Sequence, residues 1–293
     1  MNGSSPQTTS EIRRLLRTAG LHPNPRRGQS FLVDGNLMRM VVAAAELTRD
    51  DLVLEVGTGT GSLTRLAAEA AGHVLTVEID AGLARLAQAA LAGVSNVTLI
   101  HADVLARKNE LNPVVVRELR TAAGRGSRVK LVANLPYGIA SPLIMNLLFE
   151  DVIFERMVFT VQREFADRLV ARPGTKDYGW VTLVVATAGA VEVLRHIPST
   201  AFWPQPAVSS SLVSFRPRAD WKSGLDVARF RRFGMFVFQH RRKTVLRIMR
   251  DYLKQIASDL EPGPLLEASG IDPKTRGDQL ESEGLLRVSR LIV

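Results

Sequence analysis

Apolar residues along this chain fall first into short unbroken runs and later into helical spacing. DLVLEV at 51–56 is followed by a glycine-rich turn and a helical stretch at 62–71. VLTVEI at 74–79 precedes an Ala/Leu-rich helix over 81–92, and VTLI follows at 97–100. VKLVAN at 129–134 leads into a helix over about 141–149, with Ser141 as its cap and Pro142 in its first turn. MVFTVQ at 157–162, VEVLRHI at 191–197 and SLVSF at 211–215 read as later strands. Continuous apolar strands alternating with helices predict a parallel sheet covered on both faces. The stretch 106–128 is less regular, contains GRGSR and reads as a surface insertion. Beyond Pro217 every segment is helix-like, with breaks at EPGP (261–264) and Gly270. The chain therefore divides into an α/β domain over 1–218 and a small all-helical domain over 219–293.

Composition sharpens this picture in two places. At 293 residues and 46% apolar, the chain can bury a substantial core without staples. It has no Cys, which excludes disulfides, thiolate nucleophiles and Cys-ligated metals, and which fits a reducing compartment. His22, His73, His101, His196 and His240 show no ligand spacing, so no metal is expected. The polar N-terminus lacks a secretory apolar stretch, and the weakly polar run at 181–194 is interrupted by Glu192 and too short to span a bilayer. A soluble, cytoplasmic protein is expected. Net charge is +9, and residues 216–254 hold twelve Arg/Lys against three Asp, so the rest of the chain sums to zero. A solvated helical face is the bland explanation. Concentration of the whole excess in one segment points to a phosphate-binding surface, hence nucleic acid.

Candidate chemistry begins where the first strand ends. Glu55-Val56-Gly57-Thr58-Gly59-Thr60-Gly61 opens a helix, and glycines there permit a tight turn and close approach of backbone to a ligand. Glu78 ends the next strand, placed to accept hydrogen bonds from two ribose hydroxyls. Asp103 lies just past the third, placed to meet an adenine amine. Either carboxylate alone could be an ordinary solvated strand end; three strand ends in a row are harder to dismiss. A dinucleotide fingerprint would put a third Gly at Ser62, whereas the spacing here is GxGxG preceded by Glu55. A carboxylate repels a pyrophosphate but suits a sulfonium with an ammonium group, which favours S-adenosylmethionine.

The fourth strand ends in Asn134-Leu135-Pro136-Tyr137. An exocyclic adenine amine is a poor nucleophile because its lone pair is delocalised into the ring. The Asn134 carboxamide oxygen, with a backbone carbonyl, would accept from its N–H groups and align it for in-line attack on a methyl group. Tyr137 offers a face for stacking the base. A turn in which Asn tolerates an unusual backbone angle and Tyr simply packs would look the same. Phe202-Trp203-Pro204-Gln205-Pro206 could be a packed inter-strand loop, or a rigid aromatic wall over a base. Arg241, Arg242 and Lys243 could be a solvated helix turn. With Phe233, Phe236, Val237, Val245, Leu246 and Met249 as its apolar face, that helix frees the three cations for phosphate.

From about Gly28 onward the chain resembles the ribosomal RNA adenine dimethyltransferases of the kasugamycin-sensitivity type. The resemblance is carried by GQSFLVD (28–34), EVGTGTGSLT (55–64), VEID (77–80), AD (102–103), NLPYGIASP (134–142) and VQREFADRLVARPGTKDYG (161–179). It continues through AFWPQPAVSSSLVSF (201–215), FQHRRKTV (238–245) and PKTRGDQL (273–280). It implies a seven-stranded, Rossmann-like class I methyltransferase domain and a helical RNA-binding domain. Ser30, Leu32, Gly57, Glu78, Asp103 and Asn134 would line the S-adenosylmethionine pocket; Tyr137 and Phe202 would sandwich a flipped adenine. Ser30 stands where the family usually has Asn or His, and His101 where Gly is common. The implied reaction is dimethylation at N6 of two adjacent adenines near the 3′ end of small-subunit ribosomal RNA, in an assembling particle, by a monomer. A large-subunit enzyme of the macrolide-resistance type shares this core, though NLPYGIASP and FQHRRKT favour the small-subunit type. A protein acting chiefly as an assembly factor is the reading from another class.

Overall fold

The computed structural model describes residues 7–24 and 27–292. It contains α1 (Thr9–Thr18), β1 (Phe31–Leu32), α2 (Gly35–Ala44), β2 (Asp51–Val56), α3 (Ser62–Ala70), β3 (His73–Glu78), α4 (Ala81–Ala90) and β4 (Val97–His101). Then come β5 (Leu105–Arg107), β6 (Glu110–Leu111), α5 (Pro113–Gly124), β7 (Arg128–Asn134), α6 (Ala140–Phe149), β8 (Phe154–Gln162) and α7 (Arg163–Leu169). The chain continues through α8 (Trp180–Ala188), β9 (Gly189–Ile197), β10 (Phe202–Trp203), β11 (Ser210–Pro217), α9 (Val227–Gln239), α10 (Val245–Gln255), α11 (Pro262–Ala268) and α12 (Ser282–Leu291).

Seven strands form one sheet in the order β4-β3-β2-β7-β8-β11-β9. The first five are parallel, and β11 runs antiparallel to β8. Every residue of β2 is buried, the charged Asp51 and Glu55 included, as expected of a mainly apolar strand packed on both faces. From β2 the chain builds outward through β3 and β4, then returns to the other side of β2 as β7. That reversal makes a crevice at the carboxyl ends of β2 and β7, the place where open α/β sheets bind ligands. One face of the sheet is closed by Leu37, Met38 and Val41 of α2 with Leu63, Leu66 and Ala67 of α3, around Val53, Val132 and Val158. At the amino end of the strands, buried Asp51 and Lys130 pair at 3.0 Å.

The stretch expected to be a surface insertion is instead part of the winding. β5 and β6 form a hairpin, and α5 is the crossover helix that returns the chain to β7. Asn112 caps α5 by accepting from the Val114 amide, Pro113 occupies its first turn, and Val115 and Leu119 are buried. Its sparse apolar stripe hid an ordinary amphipathic helix. Ser141 is also not a cap: α6 starts one residue earlier, with Ile139 at the cap position and no side-chain bond to the helix end.

Contacts divide the chain into two compact units, one reaching to Ala166 and adding Glu192–Arg216, the other joining Asp167–Val191 to Pro217 and beyond. The second unit thus takes in α8, which a boundary at 218/219 would place with the sheet. The reason lies in its apolar surface: α8 packs against α9 and α12, and the Trp180 ring lies 5.5 Å from Phe230. Phe233, Ile248, Met249 and Leu285 complete that interior. Among the described residues, no helix is long and apolar enough to cross a membrane.

Candidate cofactor and target-base site

A cavity of about 300 Å³ occupies the crevice of the sheet unit. Its floor is the turn after β2. Gly57 (φ +88°) and Gly59 (φ +57°) adopt left-handed backbone that side chains resist. The Gly57 amide donates to the Val77 carbonyl at 2.8 Å, and the Gly59 amide donates to Glu78 Oε2 at 2.9 Å. A Cβ at Gly59 would press on the Phe31 ring at 3.2 Å, so glycine also lets the 28–32 segment close over the turn.

That segment forms one wall. Arg27 pairs with Asp80 at 2.7 Å and Gln29 Nε2 donates to the same carboxylate, while Asp80 caps α4. Strand β1 pairs with β10, and the Ser30 hydroxyl donates to the Pro204 carbonyl at 2.7 Å. Ser30, Leu32, Gly57, Glu78, Asp103 and Asn134 all line the cavity. The short side chain of Ser30 is spent on the 202–206 loop.

Two carboxylates set the electrostatics. Burial pushes the Glu55 carboxyl up to about 7, against the lowering effect of hydrogen bonds from Thr64 and Thr76. Burial also raises Glu78, against the lowering effect of the Asp80 and Gly59 amides. Sealed carboxylates beside an anionic ligand would be costly; beside a cation each gains a partner. The residues present therefore fit S-adenosylmethionine, with Glu78 oriented by backbone amides and retaining acceptor capacity for ribose hydroxyls. Asp103, also in the cavity lining, accepts from the Leu105 amide at 2.9 Å.

Asn134 ends β7 with both ends of its carboxamide engaged. Its Nδ2 donates to the Ser30 carbonyl at 2.9 Å, and its Oδ1 accepts from the Thr160 hydroxyl at 2.5 Å. Tyr137 is half-buried; its hydroxyl shares a 2.7 Å hydrogen bond with Ser210, and burial raises its pKa. Its neighbours Pro136 and Gly138 line the cavity, whereas Tyr137 itself does not.

The expected aromatic wall is not assembled. Phe202 is 3% exposed and belongs to the core cluster of Leu32, Leu37 and Met38. Side chains alternate across a two-residue strand. Phe202 therefore shares a face with Leu32, and Trp203 faces Phe31, whose ring stacks on it at 6.4 Å. The Arg13 guanidinium lies over the Trp203 ring.

In the helical unit the cationic triplet lies in the turn between α9 and α10, not on a helix face. Arg241 donates to the Tyr178 carbonyl at 3.3 Å and Lys243 pairs with Asp251 at 3.1 Å, leaving Arg242 as the exposed member. Sequence reasoning missed the threonines around Glu55 and the hydroxyl of Thr160. A threonine in a buried strand reads as one more β-branched residue, and only its register against Asn134 distinguishes it.

A family model described as "Ribosomal RNA adenine dimethylase" matches residues 20–289. A curated relative from Natranaerobius thermophilus, "Ribosomal RNA small subunit methyltransferase A", is 35% identical over 100% of this chain and 98% of its own. Among solved structures, a dimethyladenosine transferase from Plasmodium falciparum aligns with a TM-score of 0.71 at 22% identity, covering 88% of this chain and 95% of that one. The 23S rRNA methyltransferase ErmE aligns at 0.62 and 26% identity, covering 89% of this chain and 99% of that one.

Proposed function

The chain belongs to the ribosomal RNA adenine dimethylase family, and on that footing we propose that it dimethylates N6 of two adjacent adenines near the 3′ end of small-subunit ribosomal RNA, acting as a monomer on the assembling particle in the cytoplasm. It is an S-adenosylmethionine-dependent rRNA adenine dimethyltransferase. The observation that carries the reading is the convergence of the glycine turn, Glu78, Asp103 and Asn134 on one cavity at the switch point of the sheet.

S-adenosylmethionine, when bound, supplies an electrophilic methyl group. Glu78 and Asp103 would hold its ribose and adenine ends, with Ser30, Leu32 and the backbone at Gly57 as walls. Asn134 Oδ1 would accept from the target amine, most strongly as positive charge develops on nitrogen. Direct transfer needs no strong base, since methylation makes the amine acidic. Tyr137 is the candidate stacking face. A stacking role for Phe202 requires the 202–206 loop to turn its ring out of the core, and a base stacked on an aromatic gains roughly 1–3 kcal/mol toward that change.

The likeness to ErmE gives the large-subunit reading a specific footing. Incubating purified unmethylated small and large subunits with labelled S-adenosylmethionine, then mapping the modified nucleotides, separates the two. Dimethyladenosine confined to the small subunit is the expected result. Label on the large subunit alone would overturn it, and binding without methylation would leave the assembly-factor reading.

A further inference from the structure

We propose that Thr160 is a positioning residue for methyl transfer: its buried hydroxyl locks the Asn134 carboxamide with the oxygen presented as an acceptor to the target amine. The inference rests on the role given to Asn134 above.

Thr160 and Asn134 are register partners on β8 and β7, and Thr160 is 0% exposed. Strand β8 lies inside the sheet, between β7 and β11. The Leu135 amide donates to the Thr160 carbonyl at 3.2 Å, which ties the two strand ends together. A threonine there has few rotamers, so its hydroxyl is placed by the sheet and not by a flexible side chain.

The hydrogen-bond chemistry then leaves one orientation. The Ser30 carbonyl can only accept, so the NH₂ end of Asn134 must face it. The oxygen end therefore faces Thr160, whose hydroxyl must donate. With both bonds made, the carboxamide keeps one lone pair and one N–H. The lone pair is what an adenine amine requires. A flipped carboxamide would confront the amine with N–H, donor against donor, and would set the Ser30 carbonyl opposite an oxygen. Valine would fill the same space on β8, so packing alone does not call for a hydroxyl at this position. A hydroxyl buried at 0% exposure costs free energy unless it is bonded, and its bond goes to Asn134.

Thr160→Val, Thr160→Ser and Asn134→Ala decide the matter, with Thr160→Ala as a second hydroxyl-free variant should the valine not fold. Single-turnover methyl transfer is measured on unmethylated small subunits at saturating S-adenosylmethionine, alongside cofactor Kd by calorimetry and thermal unfolding. Thr160→Val is expected to slow transfer about tenfold or more, the scale of losing one buried hydrogen bond that orients an acceptor. Cofactor and subunit affinities are expected to stay within about twofold, and Thr160→Ser to recover most of the rate. Thr160→Val at wild-type rate beside an inactive Asn134→Ala would overturn the positioning role alone. A serine variant that is folded yet as slow as valine would overturn it too. Wild-type rates in both Thr160→Val and Asn134→Ala would overturn the underlying assignment of Asn134.

Discussion

Glu55 accepts the Thr64 hydroxyl at 2.6 Å from within the core, where it is 1% exposed yet still borders the candidate cofactor cavity. Thr76 donates to the same oxygen at 2.6 Å and shares a further hydrogen bond with Thr58. This carboxyl is therefore held by neutral donors, and burial pushes its pKa up to about 7.

A pH dependence of cofactor binding follows. At pH 6 most of the free protein carries Glu55 protonated, and a cationic ligand favours the ionised form, so binding releases a proton. Affinity for S-adenosylmethionine is expected to rise between about pH 6 and 8 and then level off, by at most about tenfold per unit below the pKa. Calorimetry across this range checks it, and Glu55→Gln should flatten the curve. A flat wild-type curve would show that Glu55 does not ionise on binding.

Glu78→Ala removes the acceptor for the Gly59 and Asp80 amides as well as the one offered to the ribose. Cofactor affinity is expected to fall about ten- to a hundredfold, the scale of losing hydrogen bonds to a charged group, in a protein that still unfolds cooperatively. Unchanged affinity would remove Glu78 from the site.

Asn134→Ala is expected to cost on the order of 10²–10³ in single-turnover rate, as for loss of one preorganised transition-state partner. Binding to the small subunit should persist, because an interaction that strengthens in the transition state contributes little to ground-state affinity. A variant transferring methyl groups at near wild-type speed would leave backbone carbonyls as the amine acceptors.

RNA binding should depend unequally on the cationic turn. Arg242 is exposed, whereas Lys243 is held by Asp251 and Arg241 by a backbone carbonyl. Arg242→Gln is expected to weaken RNA binding and to lower the slope of log K against log salt by about 0.7–0.9, one phosphate contact. Lys243→Gln should change it less. Equal slopes in wild type and Arg242→Gln would mean that this residue serves solubility alone.

Most of the sheet was legible because its central strands are buried on both faces and so are dominated by apolar residues, as in DLVLEV and VKLVAN, where the buried charges Asp51 and Lys130 pair with each other. The glycine turn, Glu78, Asp103 and Asn134 were legible as a group because each sits at, or within a few residues past, the carboxyl end of a strand, and strand ends on one side of a parallel sheet necessarily converge. Helix α5 was not, since Val115 and Leu119 make a thin stripe within a polar segment. Nor was the grouping of α8 with the C-terminal helices. Gly234 of α9 leaves room for the Trp180 ring, where a Cβ would overlap it, and nothing in the local pattern links those two positions.

Local chemistry along the chain was enough to specify the fold class, the cofactor and the strand ends that line one cavity, because periodicity and turn residues act over a few neighbours. Long-range register settled the rest. It set Thr160 against Asn134 and turned Phe202 into the core while Trp203 faced Phe31. It also set Lys243, just before α10, against Asp251 within that helix. Each of these depends on which side of a strand or helix a residue falls once its partner is in place, and a one-residue shift in pairing would reverse it.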